Sequence, residues 1–238
     1  MLWISALPWI LGLAGGILLG SYYPRRCPKE LPLEPWSLTR VTNAHKELHD
    51  LMMRNKKDAY EGHTGSNPEK AMAYRALSGG HARTICETGF NGGHSSATWL
   101  GSNPRARLYS FDLGAHPYVV PARDHLGLWF PGRLRLTLGD SKQTVPAFFE
   151  RHPDVRCDIA HVDGGHAYAE AWADLENFWR VLRPGGLLLI DDTNCGEGYC
   201  VDKPWQDFLK KHEAELVPLR MELSVTGTGL SGVFKREN

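Results

Sequence analysis

Acidic side chains close a series of short apolar runs in this chain. Glu87 follows Thr84-Ile85-Cys86, Asp112 follows Leu108-Tyr109-Ser110-Phe111, and Asp140 follows Leu136-Thr137-Leu138-Gly139. Asp163 follows Ile159-Ala160-His161-Val162, and the pair Asp191-Asp192 follows Leu187-Leu188-Leu189-Ile190. A carboxylate at such a place can accept hydrogen bonds from paired hydroxyls, as a ribose offers, or ligate a hard cation. After Glu87 comes a glycine-rich turn, Gly89-Phe90-Asn91-Gly92-Gly93, whose backbone can approach a ligand closely, and then Ser95 and Ser96, either of which suits a helix cap. A dinucleotide fingerprint requires G-x-G-x-x-G; the spacing from Gly89 is G-x-x-G-G, which argues against a nicotinamide enzyme. Two adjacent carboxylates, Asp191 and Asp192, at the end of a buried run are costly unless a positive charge offsets them. With Asp163 they form an oxygen-donor set suited to Mg²⁺ or another divalent cation.

These groups must be positioned by strands alternating with helices. The pattern predicts strand then helix at Arg83–Glu87 and Ser95–Leu100, Arg107–Asp112 and Val119–Trp129, and Arg133–Leu138 and Lys142–Arg151. It continues with Asp158–Asp163 and Tyr168–Leu182, then Gly186–Asp191 and Lys203–His212. Leu216–Val225 and Leu230–Lys235, flanking Gly227 and Gly229, read as an antiparallel hairpin. Two helices come earlier, Leu38 to about Asp58 and Asn67–Leu77 with Pro68 in the first turn. The fold class is α/β: a doubly wound, mostly parallel, seven-stranded Rossmann-like sheet with a C-terminal hairpin and an N-terminal apolar helix. In such a sheet, ligands collect at the carboxyl ends of the strands, where strand order reverses.

The run of motifs resembles the class I S-adenosylmethionine-dependent methyltransferases, whose first motif is an apolar strand followed by E/D-x-G-x-x-x-G, here Glu87, Gly89 and Gly93. The resemblance implies that this turn lies beneath the methionine half of S-adenosyl-L-methionine and that Glu87 holds its ammonium group, directly or through water. It implies Asp112 as the ribose acid and Asp140 with Ser141 at the adenine, although Asp140 also suits a helix N-cap. The turn Asp163-Gly164-Gly165-His166-Ala167-Tyr168 is closest to methyltransferase family 24 and the metal-dependent small-molecule O-methyltransferases. In those relatives an acid after the fourth strand and an acidic or Asp-Asn pair after the fifth hold the metal, here Asp163, Asp191 and Asp192; Asp163 also borders the cofactor and counts as catalytic.

Two departures matter. Gly165 stands where some sugar-modifying relatives carry an acidic base, and the catechol-type lysine is not evident after Asp163. His166 is the substitute base, since an imidazole with a pKa near 6.5 suits proton removal from a bound hydroxyl; a structural histidine on a backbone carbonyl is the alternative. The expected activity is metal-assisted O-methylation of a small-molecule hydroxyl. Rival readings are methylation of protein or another nitrogen nucleophile, and a non-catalytic, membrane-tethered, cofactor-binding adaptor. Residues 60–64, 117–121 and 195–199 are expected to select the acceptor, and the tryptophans Trp129, Trp172, Trp179 and Trp205 are read as packing.

Composition narrows the partners. Lysines and arginines balance aspartates and glutamates at 27 each, so no net field favours nucleic acid. Leu2–Leu19 carries no charge and is followed by Tyr22-Tyr23-Pro24-Arg25-Arg26, which reads as a membrane anchor, with an interfacial helix and a cleaved signal as alternatives. Arg25, Arg26 and Lys29 place the following domain in the cytosol by the positive-inside tendency. Gly12, Gly16 and Gly20 recur every fourth residue, which suits close approach of two such helices in a homodimer, with the general frequency of glycine in membrane helices as the alternative reading. The resulting organisation is residues 1–22 as anchor, 23–37 as a proline-rich linker and 38–238 as the methyltransferase domain. Five cysteines without a CxxC pair read as reduced thiols.

Overall fold

The computed structural model describes residues 34–57, 61–79, 81–194, 200–219 and 229–237. The apolar segment, most of the proline-rich linker, the 195–199 loop and the tip of the C-terminal hairpin lie outside them. Among the described residues no helix is long and apolar enough to cross a membrane.

Helix α1 (Leu38–Asn55) starts where the Ser37 side chain accepts the Arg40 amide, and it buries Val41, Ala44, Leu48 and Met52 along one stripe. The end of the linker is docked: Trp36 stacks on Phe130, meets Trp129 edge-on, and donates its amide to the Gly101 carbonyl. Helix α2 (Pro68–Leu77) has proline in its first turn and is capped by Asn67. Five parallel strands follow, β1 (Thr84–Thr88), β2 (Arg107–Asp112), β3 (Leu134–Leu138), β4 (Cys157–Val162) and β5 (Leu182–Thr193). Between and after them lie α3 (His94–Ser102), α4 (Val119–Trp129), α5 (Ser141–Arg151), α6 (Tyr168–Val181) and α7 (Asp202–Lys211). Short β6 (Leu216–Pro218) pairs antiparallel with β7 (Gly229–Lys235), which in turn pairs antiparallel with β5.

The sheet order is β3-β2-β1-β4-β5-β7-β6, so strand order reverses between β1 and β4. Side chains alternate between two cores, as a period of two demands. Ile85, Ile159 and Leu189 pack under α1 to α4 with Tyr74, Trp99 and Leu126. Cys86, Ala160, Leu188 and Ile190 pack under α5 to α7 with Phe148, Phe178 and Phe208.

The reduced-thiol expectation is corrected. Cys86 and Cys157 are fully buried and joined in a disulfide, with 5.9 Å between their Cα atoms. A register shift between Cys157 and Ile159 accompanies this, and Cys157 shares the core face of Cys86. The two cysteines are 71 residues apart and become neighbours only because β1 and β4 pair, which no local spacing reveals. Cys200 is disulfide-bonded as well. β5 also begins earlier than expected, because Leu182 already pairs with Cys157 ahead of the Pro184-Gly185-Gly186 turn.

Candidate active site

The tips of β1, β2, β4 and β5 converge at the reversal of strand order. After β1 the chain makes a turn in which Gly89, Asn91 and Gly93 all have positive φ, 86°, 49° and 78°. A side chain at Gly93 would press on the Phe90 ring and Leu126 at 3.0 and 3.1 Å, so glycine is required both for the backbone conformation and for the packing. Asp112, at the tip of β2, accepts the Asn91 amide at 2.8 Å and the Gly114 amide at 2.7 Å, tying the glycine turn to the neighbouring strand.

Glu87 is fully buried. Three serine hydroxyls donate to it: Ser95 at 3.1 Å, Ser110 at 2.9 Å, and Ser96. Neither Ser95 nor Ser96 caps α3, which instead begins at His94 behind Gly93. Burial raises the Glu87 pKa, and the serine hydroxyls and His161 only partly oppose it. Asp140 is the N-cap of α5, accepting the Lys142 amide at 3.0 Å, and Ser141 is the first residue of that helix. Residues 61–66 lie against the glycine turn: Asn91 donates its side-chain amide to the Gly62 carbonyl at 2.7 Å, and the His63 ring stacks on His94 at 3.7 Å. Burial and neighbouring histidines keep both rings neutral, lowering His94 to about 2 and His63 to about 4.

Across the reversal point, Asp163, Gly165, His166, Asp191 and Val201 line a cleft. His166 Nε2 is 2.8 Å from Asp192 Oδ2, and this hydrogen bond raises the imidazole pKa above its ordinary value. Tyr168 is turned away, donating to Asp207 on α7 at 2.9 Å. Two residues that the sequence reading missed complete the cluster, both from α2. Lys70, 6 % exposed, places Nζ 2.5 Å from Asp191 Oδ1 and 3.5 Å from Asp192 Oδ1. Tyr74 donates to Asp191 Oδ2 at 2.5 Å, and its oxygen lies 3.1 Å from His161 Nε2. A lysine and a tyrosine four apart on a helix share one face, and that was the available signal.

The electrostatics follow. Burial would raise Asp191, but His161 and Lys70 outweigh it and hold the carboxylate below the usual range. Burial and the charges of Asp191 and Asp192 push Asp163 up, against Lys70. Of the three expected metal ligands, Asp163 and Asp191 come together, with His161 as the third group whose ligating atoms all lie within 4.8 Å. Asp192 is not in that trio; its carboxylate faces His166 and Lys70.

Residues 86–193, which carry the glycine turn and the tips of β2, β4 and β5, match a family described as a methyltransferase domain. Over those residues the match supports the expected resemblance to the class I S-adenosylmethionine-dependent methyltransferases.

Solved methyltransferases share its fold. An O-methyltransferase from Bacillus cereus in complex with S-adenosylhomocysteine superposes with a TM-score of 0.62 at 17% identity, covering 81% of this chain and 91% of that one. TomG from Streptomyces achromogenes, an O-methyltransferase of tomaymycin synthesis in complex with S-adenosylmethionine, gives 0.58 at 16% identity, covering 84% and 89%. The N-methyltransferase NodS from Bradyrhizobium japonicum, in complex with S-adenosylhomocysteine, gives 0.53 at 14% identity, covering 82% and 100%. No curated protein sequence matches this methyltransferase.

Proposed function

We propose that this methyltransferase transfers a methyl group from S-adenosylmethionine to a hydroxyl of a small molecule, with His166 as general base. The observation that carries the reading is His166, which lines a cleft with Asp163 and Asp191 and is hydrogen-bonded to Asp192, at the strand reversal beside the Gly89–Gly93 turn. S-adenosylmethionine supplies an electrophilic methyl group. Gly89, Gly93 and Asp112 make a cradle for it, the two glycines supplying the left-handed backbone of the turn and Asp112 fixing that turn to β2. Asp192 accepts from His166 Nε2, which fixes the tautomer whose basic lone pair is on Nδ1. As the acceptor oxygen takes the methyl and the carbon–sulfur bond breaks, the hydroxyl proton passes to His166 Nδ1. Asp192 then stabilises the imidazolium. Net neutrality disfavours nucleic acid as the acceptor.

Calorimetry with S-adenosylhomocysteine tests the cofactor half. The wild-type chain binds it, and Asp112→Ala weakens binding about 10- to 100-fold, as the loss of hydrogen bonds to a charged group implies. Wild-type protein that leaves S-adenosylhomocysteine unbound would sink the reading.

The disulfides bear on location. Cytosolic glutathione keeps most thiols reduced, and bonded cysteines accumulate in oxidising compartments. The Cys86–Cys157 bond and the bonded Cys200 therefore favour a catalytic domain on the lumenal or external side, against the positive-inside tendency of Arg25, Arg26 and Lys29. That tendency is weak for whole domains. Protease added to intact vesicles bearing the full chain, lumen inside, leaves the domain uncut until detergent is added; digestion without detergent would return it to the cytosol.

A further inference from the structure

We propose that the Lys70 ammonium is the resident cation of this active site, standing where the metal-dependent relatives hold a divalent ion, so that the enzyme works without a metal. The inference deepens the methyltransferase reading and rests on it. Its basis is the occupation of the carboxylates. Asp191 Oδ1 receives Lys70 Nζ at 2.5 Å and the Asp192 amide at 3.2 Å, while Asp191 Oδ2 receives the Tyr74 hydroxyl at 2.5 Å. Asp192 Oδ1 is 3.5 Å from the same ammonium, and Asp192 Oδ2 is bonded to His166. His161, the nitrogen donor of the trio with Asp163 and Asp191, has its Nε2 against the Tyr74 oxygen.

A divalent ion entering here must displace an ammonium that is 6 % exposed and leave that charge buried beside a second cation. Mg²⁺ also keeps several of its own waters in near-octahedral array, which the Tyr74 and Lys70 contacts to Asp191 obstruct. The residues as arranged do not fit the metal. They fit a fixed positive charge that keeps Asp191 and Asp192 ionised side by side and holds Asp192 in place to orient His166. Lys70 is in this sense a positioning residue. Paired buried carboxylates need a compensating cation, and the chain supplies it from α2.

The test titrates MnCl₂ into EDTA-treated full-length protein and follows the electron paramagnetic resonance of free Mn²⁺. Calorimetry with S-adenosylhomocysteine is run on the same samples. The expected result is no stoichiometric Mn²⁺ binding by the wild type at millimolar concentration, with or without S-adenosylhomocysteine. Lys70→Ala is expected to gain one bound Mn²⁺ per chain, and Lys70→Ala combined with Asp191→Asn to lose it again. Lys70→Met, closer in volume, repeats the measurement if the alanine variant does not fold. A wild type that binds one Mn²⁺ with micromolar affinity, and loses it in Asp191→Asn, overturns the inference; so do folded Lys70 variants that gain no ion. Failure of S-adenosylhomocysteine to bind would instead strike the methyltransferase reading, leaving the Mn²⁺ result to judge Lys70 separately.

Discussion

His166→Gln lowers kcat by about 100- to 10,000-fold, the range that general-base catalysis contributes, and leaves S-adenosylhomocysteine affinity unchanged. The separation follows from geometry. His166 lines the cleft beside Asp163 and Asp191, whereas Asp112 and the Gly89–Gly93 turn form the other half of the site. The pH dependence has a definite sign. The hydrogen bond that His166 donates to Asp192 raises the His166 pKa, so the protonated, inactive imidazole persists to higher pH than a free histidine would allow. Activity therefore rises with pH through a midpoint above 6.5. Asp192→Asn removes the charged acceptor and moves that midpoint down while also lowering the maximum, because the tautomer is no longer fixed. The check is S-adenosylhomocysteine release against a panel of catechols, phenols and sugar hydroxyls, read across pH. A His166→Gln enzyme with undiminished kcat would remove the base from the mechanism.

The second large effect concerns stability. Replacing both Cys86 and Cys157 by alanine lowers the midpoint of thermal unfolding by about 10 °C. The bond closes a loop of 71 residues, and in the chain-entropy account a loop of that size contributes about 4 kcal/mol. For a domain of this length each kcal/mol moves the midpoint by about 2–4 °C. Both sulfurs are buried between β1 and β4, so the change acts at the centre of the sheet rather than at a frayed edge. Scanning calorimetry of the double variant beside the wild type measures it, and coincident midpoints would show that the cross-link contributes nothing to the fold.

The sheet was legible in the sequence because each parallel strand is a short apolar run closed by an acid or a turn; helices α4 and α6 begin at Val119 and Tyr168 as the pattern predicts. The packing role of Trp129 and Trp179 was legible too, and they meet Trp36 and Phe208 edge-on. What escaped was everything that depends on distance along the chain. Lys70 and Asp191 are 121 residues apart, and only the packing of α2 over the β4 and β5 tips unites them. Ser110, on β2, joins the serines of α3 at Glu87 through strand pairing. The positive charge beside Asp191-Asp192 was deducible in kind, since buried like charges demand it. Its identity was not, because a metal and an ammonium answer the same electrostatic need.

One glycine couples the two halves of the site. Gly89 lies so close to the Asp163 carbonyl that a β-carbon there would collide with main chain, and the Asp163 amide in turn donates to the Thr88 carbonyl at 3.1 Å. The glycine turn and the tip that carries Asp163 are thus in direct main-chain contact. On the proposed reading, the spacing between the glycine turn and the β4 tip is therefore set by main chain rather than by a side-chain rotamer. Variation among acceptors is left to whatever roofs this fixed gap, which makes residues 61–66 the natural place for a specificity change that leaves the transfer step itself intact.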